Sequence, residues 1–450
     1  MLDVKFQKEI KSILFFALEY GIKHVEINKN KKPPIELIGK VHKGFMKAQN
    51  LIIQNLLILG KEKRKLKDRL KVSRRNRETN LIKTLEDKIK SIEYKESIIR
   101  KIADSIAWTI LNFDSTKVKR LFLNNPQVEV YNSNLSHEIR VVEDIFQNNE
   151  FNFALLTDIT SFIQIADLMI LDSESKSIGF AELKEGRINE EISNTLDLFL
   201  KTNCEFALFQ TIKDKDDKYI KQMKRFINQE VKNTEVVKTI NSGEGKDIAT
   251  GYNVFISEEV FEPVFFENTV RDMLKEVQKK KFALRSIDDC LIIGVYNTKD
   301  IPIHTAFEGW KKSCGIGFPT IDFKVFLNDP TAKPMFLCDF SINDKVKILS
   351  GEIYILMSLD FNKWISMLKK ANINVRLLTK KETERINKVP DIIKPFEYNG
   401  QAIQIEYEGG VETLGGGIFE KMFNQFFRPT SIIEFIKFKE KVLENRPIKL

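Results

Sequence analysis

Three charged residues, Asp167, Glu182 and Lys184, interrupt otherwise apolar segments in the stretch ADLMILDSESKSIGFAELKEG, Ala166 to Gly186. Strand interiors favour β-branched and aromatic residues, and a lone charge buried there is costly. The apolar runs read as two strands around the polar turn DSESKS. Side chains two apart share a face of a strand. One face of the first carries Ile163, Ile165, Asp167, Met169 and Leu171; one face of the second carries Ile178, Phe180, Glu182 and Lys184. Pairing around the turn then brings Asp167 close to Glu182 across the ladder. Two carboxylates there repel unless a cation lies between them. Mg2+, with Mn2+ as substitute, meets that need: Asp167, Glu182 and the backbone carbonyl of Leu183 would supply three oxygens. A metal-bound water is more acidic than bulk water, and Lys184 would offset charge on the transition state. Such a group suits hydrolysis of a phosphodiester. The plainer alternative is a structural Asp167–Lys184 ion pair with Glu182 solvated.

The elements that would position these residues follow from periodicity. Residues 1 to about 115 read as helical. Ile52, Leu56, Leu59, Leu66 and Leu70, and then Ile82, Leu85, Ile89, Ile92, Ile99, Ile102 and Ile106, recur at steps of three and four or their multiples. With SRRNRETN between them, two long antiparallel helices form a coiled-coil-like arm. Its middle is basic, with 16 Lys and Arg against 7 Asp and Glu between Lys61 and Lys101. That fits a phosphate-contacting arm or, equally, a solvated helix face. From 116 to 265 the spacing predicts a helix over Asn134–Asn148 and strands near 153–159, 162–171 and 178–184. A helix from Asn189, a strand in CEFALFQTI and a helix in DKYIKQMKRFINQEV follow. Residues 266–450 mix strands such as CLIIGVYN and KVKILSGEIYILMSL with helices such as FNKWISMLKKA, a separate α+β domain.

The acid, fourteen residues, then Glu182-Leu183-Lys184 resembles the PD-(D/E)xK motif of the restriction-endonuclease-like nucleases, with Ala166 in place of the name-giving proline. The resemblance covers about a third of the chain. It implies a mixed α/β restriction-endonuclease-like core at 116–265, between the helical arm at 1–115 and the C-terminal domain. It also implies metal ligation by Asp167 and Glu182, a catalytic Lys184, and an added Glu from the preceding helix, Glu143 ahead of Glu138. A Gln from the following helix would be Gln222, with Arg225 one turn on. The lead-in LLTDITSFIQIADLMI is similar to that of phage-defence nucleases and adds Asp158 as an accessory acid. The implied activity is Mg2+-dependent cleavage of DNA ahead of RNA. The alternative is a non-catalytic nucleic-acid-binding or assembly protein with a degenerate core.

The tripeptide alone carries nothing, since E-x-K also occurs at Glu86, Glu93, Glu174 and Glu244 in charged or polar surroundings. The rest of the chain narrows the field by exclusion. A net charge of +9 fits a polyanionic partner. Four scattered cysteines give neither a zinc site nor a disulfide framework, so a reducing cytoplasm is expected. Charges break every apolar run, so no membrane partner is expected. A second copy of the chain or a defence-system protein is the expected protein partner. SGEGKD, from Ser242, departs from a phosphate loop because Asp247 follows Lys246. The histidines, His24, His42, His137 and His304, have no metal-ligand spacing.

Overall fold

The computed structural model describes the chain apart from residues 1, 21–34, 131–134, 184–186, 203–208, 210–211, 214, 248–250, 252, 256–260, 298–299, 301, 389–394, 408–409 and 445–450. It is an α+β protein, with long helices and several small antiparallel sheets. Residues 1–18 and 257–450 form one compact unit, and 19–256 the other. The boundaries expected from the sequence lie at 115 and 265. Helix α1 (Val4–Leu14) buries Phe6, Ile10, Ile13 and Leu14 and packs on the helix Ile342–Ser350. The C-terminal end of the arm, in turn, is buried on all sides as part of the core beside it.

In the 19–256 unit, α2 (Ile35–Arg75) and α3 (Thr79–Ile110) run antiparallel, tied by Lys63–Glu96 at 2.6 Å and Arg74–Glu86 at 2.9 Å. The expected seam is buried from Ile52 to Leu70 on α2 and from Leu85 to Ile106 on α3. Between the helices Arg77 takes left-handed backbone, φ 59°. The next elements are α4 (Ser115–Arg120), α5 (Leu135–Asn148) and strands β1 (Asn152–Leu156), β2 (Leu168–Asp172) and β3 (Ser177–Ala181). The strands form one antiparallel sheet in the order β1-β2-β3. Gln49 of α2 covers the outer edge of β1: its side chain accepts from the Leu156 N–H at 2.8 Å and donates to the Ala154 carbonyl at 3.3 Å. Those two backbone groups would otherwise be an unsatisfied buried edge. Helices α6 (Arg187–Thr202) and α7 (Asp217–Ser242) and the hairpin β4 (Glu244–Lys246)–β5 (Asn253–Phe255) complete the unit. SGEGKD is the end of α7, closed by Gly243 at φ 76°, running into β4. Most of CEFALFQTI, including the expected strand, lies outside the described residues.

The other unit continues from α1 with α8 (Glu267–Glu276), β6 (Phe282–Ile287), β7 (Leu291–Tyr296), α9 (Ile303–Ser313), β8 (Ile321–Asp322), α10 (Ile342–Ser350), β9 (Tyr354–Leu359) and α11 (Phe361–Lys370). Its main sheet has the order β6-β7-β9-β8, and a second is built around Gln401–Tyr407. The expected strand in KVKILSGEIYILMSL is a strand only in its second half, β9. The first half is α10, which packs on α1. Ser341 accepts from the Asp344 N–H at 3.0 Å and starts this helix, and Gly351 at φ 71° ends it.

Gly294 sits in the central strand β7, where an added Cβ would lie 2.7 Å from the Tyr296 ring and 2.9 Å from the Phe307 ring. Both rings are buried. Gly294→Ala is therefore expected to destabilise this unit by about 1–3 kcal/mol through overpacking. A drop in its thermal unfolding midpoint checks this, and an unchanged midpoint contradicts it. No described helix is long and apolar enough to cross a membrane.

Candidate active site

Antiparallel pairing puts the C-terminus of β1, the N-terminus of β2 and the C-terminus of β3 at one end of the sheet. The register pairs Leu156 with Leu168 and Leu168 with Ala181. Three acids lie just past those termini: Asp158 after β1, Asp167 before β2 and Glu182 after β3. The strands are thus shorter than the sequence suggests, and the charges stand at strand ends rather than in strand interiors. Residues 157–167, expected as the end of a strand near 153–159 and the start of one near 162–171, turn through a short 3-10 segment and an irregular loop that still buries Ile159, Phe162, Ile163 and Ile165. Apolar alternation measured burial there, and burial does not require a ladder.

The hairpin turn explains the register. Asp172 accepts from the N–H groups of Glu174 at 2.9 Å and Ser175 at 3.2 Å, and from the Ser175 hydroxyl at 2.7 Å. Lys176 then takes left-handed backbone at φ 55°. With the turn fixed, backbone pairing extends past the strands: Thr157 N–H donates to the Asp167 carbonyl at 2.9 Å, and Asp167 N–H to the Ala181 carbonyl at 3.1 Å.

Asp167 is half-buried, and its Oδ2 accepts from the Leu183 N–H at 2.6 Å. The acid thus meets the E-x-K segment through the Leu183 amide. Asp158 is also half-buried. Burial pushes its carboxyl above the usual range, the negative charge of Asp167 pushes it further, and Arg100 pulls it partly back. The Asp158 and Asp167 carboxyls are thus near enough for the charge of one to act on the other. Glu182 accepts a hydrogen bond from the Gln229 amide of α7. Lys184 lies outside the described residues.

On α5 the buried face carries Leu135, Glu138 and Val142, at i, i+3 and i+7. Glu138 is the buried acid of this helix, whereas Glu143 is half-buried beside that face. Gln222 donates to Asn189 at 3.2 Å, and Arg225 is exposed. The α7 amide that reaches Glu182 is Gln229, two turns beyond Gln222 on the same face. The i, i+7 spacing of the two glutamines was the available signal.

The clamp on the Asp158 loop carries the least sequence signal. Arg100 is buried on α3 and donates to the carbonyls of Asp158, of Thr160 at 3.1 Å and of Val128 at 2.7 Å. One residue on, Lys101 forms a buried ion pair with Asp104 at 3.2 Å. Asp104 also accepts from the Ser161 N–H at 2.7 Å and from the Ser161 hydroxyl. The loop carrying Asp158 is thus held by charged groups of the arm.

Among the described residues no three His, Cys, Asp or Glu side chains converge as a metal-binding group. Mg2+ is commonly held by one or two carboxylates with waters completing its shell, so the Asp158–Asp167 pair suits it by donor chemistry. Comparison with family models, curated proteins and solved structures finds no match to this chain.

Proposed function

We propose that this protein is a Mg2+-dependent nuclease that hydrolyses phosphodiester bonds, of DNA ahead of RNA, on a restriction-endonuclease-like core. The observation that carries this reading is that Asp158, Asp167 and Glu182 stand at strand termini on one end of a three-stranded sheet, with Asp158 raised by burial and then by the charge of Asp167. Asp158 and Asp167 would hold the cation. When bound, the cation would acidify a water and neutralise charge on a phosphate oxygen. Leu183 N–H fixes the Asp167 carboxylate, and Arg100 fixes the backbone under Asp158. Glu182, held by Gln229, would accept a hydrogen bond from the attacking water, and Lys184 would offset charge at the phosphate.

The second reading, nucleic-acid binding without cleavage, is favoured by one observation. Among the described residues the acids do not converge as a three-ligand set, and Glu182 is engaged by Gln229. Incubating linear DNA and RNA with the protein in Mg2+, Mn2+ or excess EDTA separates the two. Cleavage with either cation and none in EDTA is expected, falling at least about 100-fold in Lys184→Ala. Products that persist in EDTA, or salt-dependent binding with no products under any condition, overturn the proposal. The latter outcome favours the second reading.

A further inference from the structure

The distal half of the arm, residues 61–90, holds thirteen Lys and Arg against five Asp and Glu, a net +8 within a chain of net +9. Part of that charge is neutralised locally: Asp68 pairs with Lys71, Glu86 with Arg74, and Glu129 with Lys63 and Lys67. Lys61, Lys65, Arg69, Arg75, Arg77, Lys83, Lys88 and Lys90 are exposed and form no ion pair among the described residues. Lys61, Lys65 and Arg69 stand at i, i+4 and i+8, a row with about 6 Å between successive members along the helix axis.

From this we infer that the distal arm is a docking surface for the phosphate backbone of double-stranded nucleic acid. Other acidic partners fit less well. A helix that lies on an anionic bilayer keeps an apolar face for the acyl boundary. Here that face is spent inside the hairpin on Leu66, Leu70, Leu85, Ile89 and Ile92, and the large apolar side chains left exposed between 61 and 90 are Val72 and Leu81. Protein interfaces and single-strand grooves rely on aromatic anchors or stacking platforms. Residues 61–90 contain no Phe, Tyr or Trp. Charge without stacking or an apolar anchor matches backbone contact to a duplex, which needs no base readout.

The inference deepens the proposed function but uses none of the residues assigned to cleavage. The test is fluorescence anisotropy in EDTA, where binding is read whether or not the Asp167 site is catalytic. A labelled 30-base-pair duplex is titrated with the full chain across a salt series, beside a single strand of equal length and phosphatidylserine vesicles. The triple variant Lys65→Gln, Arg69→Gln, Arg75→Gln is compared with a control of equal charge change, Lys369→Gln, Lys370→Gln, Lys381→Gln. The control side chains are exposed in the other unit, and unchanged circular dichroism checks folding in both variants. The arm variant is expected to lose at least tenfold in duplex affinity at low salt and about three units of log–log salt slope, with the control unchanged. Equal slopes in the two variants overturn the inference, as does tighter binding to vesicles or to the single strand than to the duplex.

Discussion

Asp104→Ala is expected to destabilise the 19–256 unit by about 3–5 kcal/mol. The Lys101 and Asp104 side chains are 2% and 0% exposed and sit 3.2 Å apart. Removing the carboxylate takes away the counter-charge 3.2 Å from the buried Lys101 ammonium, and it frees both Ser161 donors from their acceptor. Losing one partner of a buried pair costs far more than replacing both, because the remaining ion keeps its desolvation penalty. The double variant Lys101→Met, Asp104→Leu is therefore expected to lose less than Asp104→Ala, its remaining loss coming from the two Ser161 donors. Asp104→Asn, which keeps an acceptor for Ser161 but loses the charge, should fall between. Hydrogen exchange of the α3 and β1 amides reads this unit separately from the other. Protection within about 1 kcal/mol of wild type in Asp104→Ala would show that the pair does not hold the loop.

The same residues mark where sequence reading fails. Ile99, Ile102 and Ile106 have the spacing of an arm seam, and that spacing holds. A helix buried on one face and a helix end buried on every face share that stripe. The difference lies in the positions between. Arg100, Lys101 and Asp104 look like the solvated face of a charged helix, yet they are in the core: Lys101 pairs with Asp104, and a loop of the neighbouring sheet, 158–161, supplies partners for Arg100 and Asp104. The loop partners are about 60 residues away in the chain, so no local pattern signals them. Local signals did better. The DSESKS turn, stiffened by Asp172, gave the hairpin register, and with it the meeting of Asp167 and the Glu182-Leu183 segment. The lengths of the strands were not legible, because Phe162, Ile163 and Ile165 are buried by an irregular loop. The first half of KVKILSGEIYILMSL was misread for a related reason. Its apolar content suits either a helix or a strand, and the cap at Ser341 and the stop at Gly351 decide for a helix. The helix carrying Glu138 and Glu143 was legible, but which of these acids shares a buried face with Leu135 and Val142 depends on where the sheet lies; that acid is Glu138.

Asp167→Asn should have the largest effect on chemistry, and a titration reads its cause without any turnover. Asp158 has a raised pKa because burial disfavours its charged form and because Asp167 is negative, with Arg100 opposing both. Replacing Asp167 by Asn removes one of the two upward pushes, so the Asp158 carboxyl should titrate at lower pH than in the wild type. Removing Arg100 as Arg100→Met should move it the other way. Carboxyl-carbon NMR of aspartate-labelled protein follows both shifts. A dication held between two carboxylates needs both ionised. Mn2+ affinity in the wild type is therefore expected to weaken as the pH falls through the raised Asp158 value. In Asp167→Asn it should be weak throughout, with cleavage reduced at least about 100-fold as one anionic ligand is lost. Glu174→Gln, exposed in the turn after the same strand, should leave both readouts unchanged. If Asp158 titrates at the same pH with and without the Asp167 charge, the two acids do not share a site, and no cation can be held between them.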